Sequence, residues 1–254
     1  MIFGLRNTLK IISVLFILIF TPGFHLPDKL TIFLVGDSTM SDKLPGDEPE
    51  KGWGQLLPEF FTDQVRIENH ARNGRSIKSF FNEGLWNKVL DRINPGDFVL
   101  IQFGHNDSKI SDSSRSAEAN TTYRNYLIDY TLETRNKGGI PVLITPVNRR
   151  KFDEHGNFVD QHGDYPKVVR EVASELNVPL IDLHESSLKL FSKLGADESK
   201  KLFLYVKPGQ YLKYPDGKED DTHFNEYGAR VIAGLVIDGI KKLNLHLSDY
   251  LIEK

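Results

Sequence analysis

The chain has 254 residues, 39% of them hydrophobic and 26% charged, with a formal net charge of −3. That length suits one large domain with its own core, the balance is globular rather than disordered, and nothing in the charge points to a nucleic-acid binder, which usually shows a basic face. The chain has no cysteine, so disulfides, thiol catalysis and cysteine-ligated zinc are excluded as well.

In chain order the first feature is a leader. Arg6 and Lys10 precede the apolar run IISVLFILIF at 11–20, and Thr21-Pro22-Gly23 follow. A basic start, a short apolar run and small residues at its end form the layout of a secretory signal peptide. A membrane-spanning helix needs about 20 apolar residues, more than this run supplies. The expectation is cleavage of residues 1–23, export to a periplasm or the medium, and a single domain over 24–254 with no membrane attachment. No cysteine follows the run, which excludes a lipoprotein anchor.

Strands and helices then alternate. The first strand, 31–35, ends in Gly36-Asp37-Ser38, and a helix is expected over 53–61. Strand 65–69 runs into Ala71-Arg72-Asn73-Gly74-Arg75-Ser76. A helix over 79–93 stops at Asn94-Pro95-Gly96. Strand 98–103 runs into Gly104-His105-Asn106-Asp107. A helix over 121–137 closes with Lys137-Gly138-Gly139, a cation in the last turn and glycine just beyond it. Strand 141–145 leads to Pro146-Val147-Asn148-Arg149-Arg150, and helix 165–176 and strand 178–183 complete the alternation. Residues 192–221 contain Pro208, Gly209, Pro215 and Gly217 and show no clear element, so a long functional loop with short helical pieces is expected there. In the last helix, 225–243, Val231, Ile232, Leu235, Val236 and Ile240 recur at helical spacing and mark the face that packs on the sheet.

The strand segments are rich in Val, Ile, Leu and Phe and alternate little, as strands buried on both faces do. Strands alternating with helices give βαβ units, hence an α/β fold with a parallel sheet between two helical layers. Ligands of such sheets bind beyond the carboxyl ends of the strands. That is where the polar segments fall, and Asp220-Asp221-Thr222-His223 joins them just before the last helix.

Serine is a poor nucleophile unless a base lies within hydrogen-bond reach and a third group orients that base. Ser38 is the candidate nucleophile. Asp220 and His223 are three apart, in what reads as a loop leading into a helix, so one turn sets a carboxylate beside an imidazole. Asp221 is a neighbouring candidate. The order Ser, Asp, His is that of other α/β hydrolases, although the Gly-x-Ser-x-Gly elbow is absent. The developing oxyanion needs donors aimed at it, and the N–H groups of Ser38 and Gly74 and the side-chain amide of Asn106 are the candidates. Each element has a plain reading too. Gly-Asp-Ser and Asn-Gly are turn sequences, and Asp221 or Thr222 would serve as an N-cap. Their joint occurrence, in order and at strand ends, points to a serine hydrolase.

Gly36-Asp37-Ser38-Thr39, Gly74, Gly104-His105-Asn106-Asp107 and Asp220-Asp221-Thr222-His223 resemble the four sequence blocks of the SGNH (GDSL-type) hydrolases. Met40 after the first block, Gly52-Trp53-Gly54, Asn73-Gly74-Arg75-Ser76, Gln102-Phe103, Thr145-Pro146-Val147 with Arg149-Arg150, and Phe224 are similar to one branch, the rhamnogalacturonan acetylesterases. The resemblance covers nearly all of the chain beyond the leader. It implies a flavodoxin-like three-layer α/β/α fold with a five-stranded parallel sheet. It implies Ser38 as nucleophile, His223 as base, Asp220 as its partner, and Ser38, Gly74 and Asn106 as the oxyanion hole. The implied reaction removes O-acetyl groups from an acetylated pectic polysaccharide through an acetyl-serine, with no metal or organic cofactor.

Several neighbours have two readings. His105 orients Asn106 or touches a sugar, or is a structural histidine. Asp107 braces its loop. Trp53 stacks on a sugar ring or belongs to the core. Arg149 and Arg150 suit an anionic sugar or form a solvated face. His155, Asp160, His162 and Asp164 fit no metal-ligand spacing, and no metal is expected. The rival functions are an esterase for another polysaccharide such as xylan, a lysophospholipase, and a polysaccharide-binding protein on a hydrolase scaffold. A lipase-like enzyme would want an apolar groove where this rim is polar, and a binder would be expected to lack part of the Ser38, Gly74, Asn106, Asp220, His223 set.

Overall fold

A computed structural model describes residues 29–252; the expected leader at 1–23 lies outside the described residues. The elements are β1 (Leu30–Gly36), the short β2 (Glu50–Lys51), α1 (Trp53–Leu56, continued by a 3-10 turn, Leu57–Phe60), β3 (Val65–Asn69), α2 (Ile77–Asn82), α3 (Leu85–Leu90), β4 (Phe98–Gln102), α4 (Arg124–Asn136, entered through a π-turn, Ala119–Tyr123), β5 (Ile140–Ile144), α5 (Tyr165–Glu175), β6 (Leu180–Ile181), α6 (Leu183–Ser199), β7 (Phe203–Val206), β8 (Lys218–Asn225) and α7 (Glu226–Lys242).

Successive side chains of a strand point to opposite faces, and both faces of this sheet are covered. Ile32 and Leu34 of β1 pack with Trp53 of α1, Phe191 of α6 and Val236 of α7. Phe33 and Val35 pack with Phe80 of α2, Trp86 of α3, Tyr130 of α4 and Val169 of α5. Burying each such side chain contributes about 1.5–3 kcal/mol, which explains the unbroken apolar runs. On α7 the buried face is Ile232, Val236 and Ile240 with Ala229, Ala233 and Ile237, whereas Val231 and Leu235 are only partly covered. The packing stripe is thus rotated slightly from the one the spacing suggested.

The five sheet strands are parallel, in the order β3-β1-β4-β5-β6. Counting only these five along the chain, that is 2-1-3-4-5, the flavodoxin-like order. Its direction of winding reverses between β1 and β4, and ligands of such folds bind in the crevice at that reversal. Ser38 follows β1, and His105-Asn106 follows β4.

Two expectations are corrected. The helix expected over 79–93 is two helices, because Gly84 takes φ 68° between α2 and α3. Residues 192–221 are not one long loop. They hold the end of α6, kinked at Gly195, then β7 and the start of β8, with Pro208, Gly209, Pro215 and Gly217 in the connection between the two strands. β8 lies between β2 and β7 in a separate antiparallel sheet. Its sequence KEDDTHFN is polar and mostly half-exposed, so it lacks the apolar alternation by which strands are read.

Candidate active site

The Ser38 turn is built on the end of β1. A Cβ on Gly36 would stand 2.6 Å from the carbonyl oxygen of Gln102, so only glycine lets β1 and β4 approach here. The N–H groups of Met40 and Ser41 donate back to the Asp37 carbonyl at 3.3 and 3.1 Å, closing the turn. The Asp37 side chain is fully buried beneath it. One carboxylate oxygen accepts from the Thr39 N–H (2.9 Å) and hydroxyl (2.8 Å), and the other is 3.0 Å from His105 Nδ1. Burial raises the Asp37 pKa, but the charge and hydrogen bond of His105 and the Thr39 donors lower it more, to about 2. Asp37 is therefore a carboxylate at neutral pH and His105 donates to it from Nδ1. The brace continues: Gln102 Nε2 donates to Thr39 Oγ1 (2.8 Å), and Trp53 Nε1 donates to Gln102 Oε1 (3.0 Å).

His223 and Asp220 reach Ser38 from β8. Along β7 the neighbours Phe203 and Leu204 pair with Phe224 and Asp220, so residues 221–223 are extra on the β8 side. A bulge re-aims side chains in this way. His223 Nδ1 lies 2.9 Å from Asp220 Oδ2, and His223 Nε2 lies 2.9 Å from Ser38 Oγ. Asp220 Oδ1 accepts from the N–H groups of Thr222 (2.8 Å) and His223 (3.0 Å), which closes the bulge around the carboxylate. Burial raises the Asp220 pKa, but the His223 hydrogen bond and charge and the two backbone donors outweigh it and hold the carboxyl well below its ordinary range. A carboxylate on Nδ1 keeps that nitrogen protonated and leaves Nε2 free to take the serine proton. Asp221 points elsewhere, to Arg150 (2.7 Å) and the Tyr205 hydroxyl, which separates the two acidic candidates. The pair stands on a bulged strand and not, as expected, in a loop before the helix.

The oxyanion candidates are gathered on the same edge. Gly74 turns the chain after β3 with φ +75°. Among the described residues neither its N–H nor that of Ser38 finds an acceptor. Ser41 Oγ donates to Asn73 Oδ1 at 2.6 Å, tying the Ser38 turn to the Gly74 turn. Asn106 Nδ2 donates one hydrogen to the Arg75 carbonyl (3.0 Å), tying the segment after β4 to the same turn, and Asn106 Oδ1 accepts from Lys109 Nζ (2.7 Å). An amide nitrogen has two hydrogens, so one is left for substrate. Asp107 is fully buried and accepts from the N–H groups of Ile77 and Gly104, both at 2.9 Å. Burial pushes its carboxyl up to about 8. It braces the loop, as expected.

Two proposed sugar contacts are corrected. Trp53 is 0% exposed, and a buried indole offers no face for stacking. His105 is 2% exposed and supports Asp37 instead. Arg149 is half-buried and donates to the His105 carbonyl (2.8 Å). Burial lowers its pKa while the charges of Asp37 and Asp220 raise it. Arg150 is buried and bonded to Asp221, Tyr205, Ser199 and the Ala196 carbonyl. The arginine pair is not a solvated face. The four residues of the possible metal cluster are dispersed: Asp160 pairs with His184 (3.1 Å), His162 packs edge-on against His105, His155 is exposed beside Glu154, and Asp164 faces Asn120. Beside Gly74 lies a cleft of about 540 Å³ walled by Arg75, Lys78, Glu83, Ser113 and Arg115, in which Arg75 pairs with Glu83 (2.9 Å) and Arg115 with Asp112 (2.6 Å).

A flavodoxin-like sheet with a serine, a histidine and an aspartate linked in series at its switch point is the architecture of a hydrolase that works without a tight nucleophile elbow. The chain belongs to the GDSL-like lipase/acylhydrolase family, whose model matches residues 34–231. It is 42% identical over 225 residues to rhamnogalacturonan acetylesterase RhgT of Bacillus subtilis, covering 89% of this chain and 95% of the relative. It is 39% identical over 224 residues to the probable rhamnogalacturonan acetylesterase YesY of the same organism, covering 88% and 98%. Among solved structures, the crystal structure of the B. subtilis protein YxiM superposes with a TM-score of 0.73 at 26% identity, over 86% of this chain and 58% of that one. The protein is a carboxylic ester hydrolase of the SGNH type.

Proposed function

We propose that this enzyme removes O-acetyl groups from rhamnogalacturonan by way of an acetyl-serine. Its substrate class follows from the two relatives that align over nearly their whole lengths and are named for that activity. The observation that carries the mechanism is the series Asp220–His223–Ser38, with both links at 2.9 Å.

Ser38 Oγ attacks the acetyl carbonyl carbon as His223 Nε2 takes its proton. The imidazolium is stabilised by Asp220, and the carbonyl oxygen becomes an oxyanion facing the N–H groups of Ser38 and Gly74 and the free hydrogen of Asn106. When the intermediate collapses, the ester C–O bond breaks and His223 returns the proton to the sugar oxygen. Water then repeats the sequence on the acetyl-serine, with His223 as base, and acetate leaves. Arg149, half-buried on the same rim, suits a carboxylate of a uronic-acid polymer. A polymer outside the cell also fits the leader expected at 1–23 and the export it implies.

The test is acetate release from acetylated rhamnogalacturonan and from acetylated xylan, with Ser38→Ala as the blank. Release from the pectic polymer that disappears in the variant is expected. Release from xylan alone would discard the substrate, and activity surviving in Ser38→Ala would discard the nucleophile.

A further inference from the structure

Lys43 lies in the segment between the Ser38 turn and β2, and its side chain is 1% exposed. Taking an ammonium out of water costs several kcal/mol unless its protons find acceptors. Here all of them do. Nζ is 2.7 Å from the Ser38 carbonyl, 2.6 Å from Asn73 Oδ1 and 2.9 Å from Glu50 Oε1, with Ser41 Oγ at 3.1 Å.

These acceptors come from three separate pieces of the site. Ser38 is the nucleophile position. Asn73 immediately precedes Gly74. Glu50 opens β2, which pairs with β8 at Glu50↔Asn225 and Lys51↔Phe224, next to His223. The far ends are held as well: the Lys43 N–H donates to Gln55 Oε1 of α1 (3.0 Å), and Tyr214 Oη donates to Glu50 Oε2 (3.1 Å). A tetrahedral ammonium sends its three N–H bonds in diverging directions, which a planar guanidinium does not reproduce.

We propose that Lys43 is a positioning residue for ester hydrolysis, fixing the nucleophile turn, the Gly74 turn and the histidine-bearing strand relative to one another and holding a buried positive charge against the nucleophile's own backbone. This rests on the roles given above to Ser38, Gly74 and His223. The cation touches no reacting atom. It acts through the alignment of the groups that do, and by favouring the negative charge of the tetrahedral intermediate. A lysine that served the fold alone would leave the folded enzyme's turnover intact.

The experiment compares the wild type with Lys43→Met, Asn73→Ala and Ser38→Ala. It measures kcat and KM on an acetyl ester, inhibition by a small alkylboronic acid that forms a tetrahedral anion on serine, and folding by circular dichroism. Misplacing reacting groups by about 1 Å costs on the order of 10²-fold. Lys43→Met is therefore expected to lose about 10²-fold in kcat, to keep KM within about threefold, and to bind the boronate more weakly in parallel with kcat. Asn73 is exposed, and its side chain is held by Lys43 and Ser41, so Asn73→Ala should fold and lose about tenfold in kcat. A folded Lys43→Met with wild-type kcat overturns the proposal, as does a fall in kcat with no change in boronate affinity. Should Lys43→Met fail to fold, wild-type kcat in Asn73→Ala overturns it. Activity surviving in Ser38→Ala would instead remove the site reading on which the proposal stands.

Discussion

The two halves of the proposed active site, named for the roles proposed for Ser38 and His223, are held by different physics. The nucleophile half grows out of the parallel sheet: Asp37, Ser38, His105, Asn106 and Asp107 are all buried. Beneath Ser38 the side chains of Asp37, Thr39, Gln102 and Trp53 are bonded in series, while His105 Nε2 finds no partner among the described residues. The base half grows out of the small antiparallel sheet, on the polar, half-exposed bulge of β8. There Asp220 and His223 are set by two backbone donors and by the strand pairing on either side. The nucleophile half is fixed by burial, so its polar groups had to be satisfied inside the fold. The base half is fixed by local hydrogen bonds, so it can be disabled chemically with little effect on the core.

That contrast can be broken or sharpened by mutation. The largest effect is expected from Asp220→Asn. An amide in place of the carboxylate turns an N–H toward His223 Nδ1 and forces the proton onto Nε2, where it blocks the transfer from Ser38. The expected fall in kcat is about 10³–10⁴-fold, with a melting temperature close to wild type because the bulge is half-exposed. A collapse of the melting temperature would show that the base half is structural after all. Arg150→Met comes next. It releases the half-exposed Asp221 carboxylate that anchors the bulge and removes bonds to Ser199 and Ala196. Asp221 reaches water, so the ion pair itself is worth little, but losing the buried hydrogen bonds costs about 1–3 kcal/mol, so melting should fall by several degrees and kcat by about tenfold. Unchanged kcat in the folded variant would free the bulge from that anchor. The smallest effect on turnover is expected from Trp53→Phe. It deletes the hydrogen bond to Gln102 at the foot of the brace, leaving a buried acceptor unmet at a cost of about 1–3 kcal/mol. Melting should drop while KM stays at the wild-type value. A raised KM with unchanged melting would restore the sugar-stacking role that burial argues against.

Much of this was legible in the chain itself. Apolar runs buried on both faces carry a strong signal, so the five parallel strands were readable to within a few residues. The polar segments after them were readable too, because ligand sites of parallel sheets lie at strand ends. What failed was the stretch 192–221. β7 and β8 form a half-exposed pair with no apolar alternation on β8, and the prolines and glycines between them read as loop. Trp53 and Arg150 carried two readings each, because neither an indole nor a guanidinium announces in sequence whether it will be buried. Lys43 carried no signal at all: it is one lysine in the polar segment SDKLPGDEPEK.

The sequence by itself determined the fold class and the order of the chemical groups, because hydrophobic period and strand-end polarity are local properties. The tertiary structure alone decided which aspartate faces His223, how the β8 bulge aims it at Ser38, and that a buried ammonium joins three distant segments. Those are contacts between residues far apart in the chain, as the 185 positions between Ser38 and His223 show, and no local pattern encodes them. They are chosen by burial, where each polar group removed from water must find its partner wherever the fold brings one.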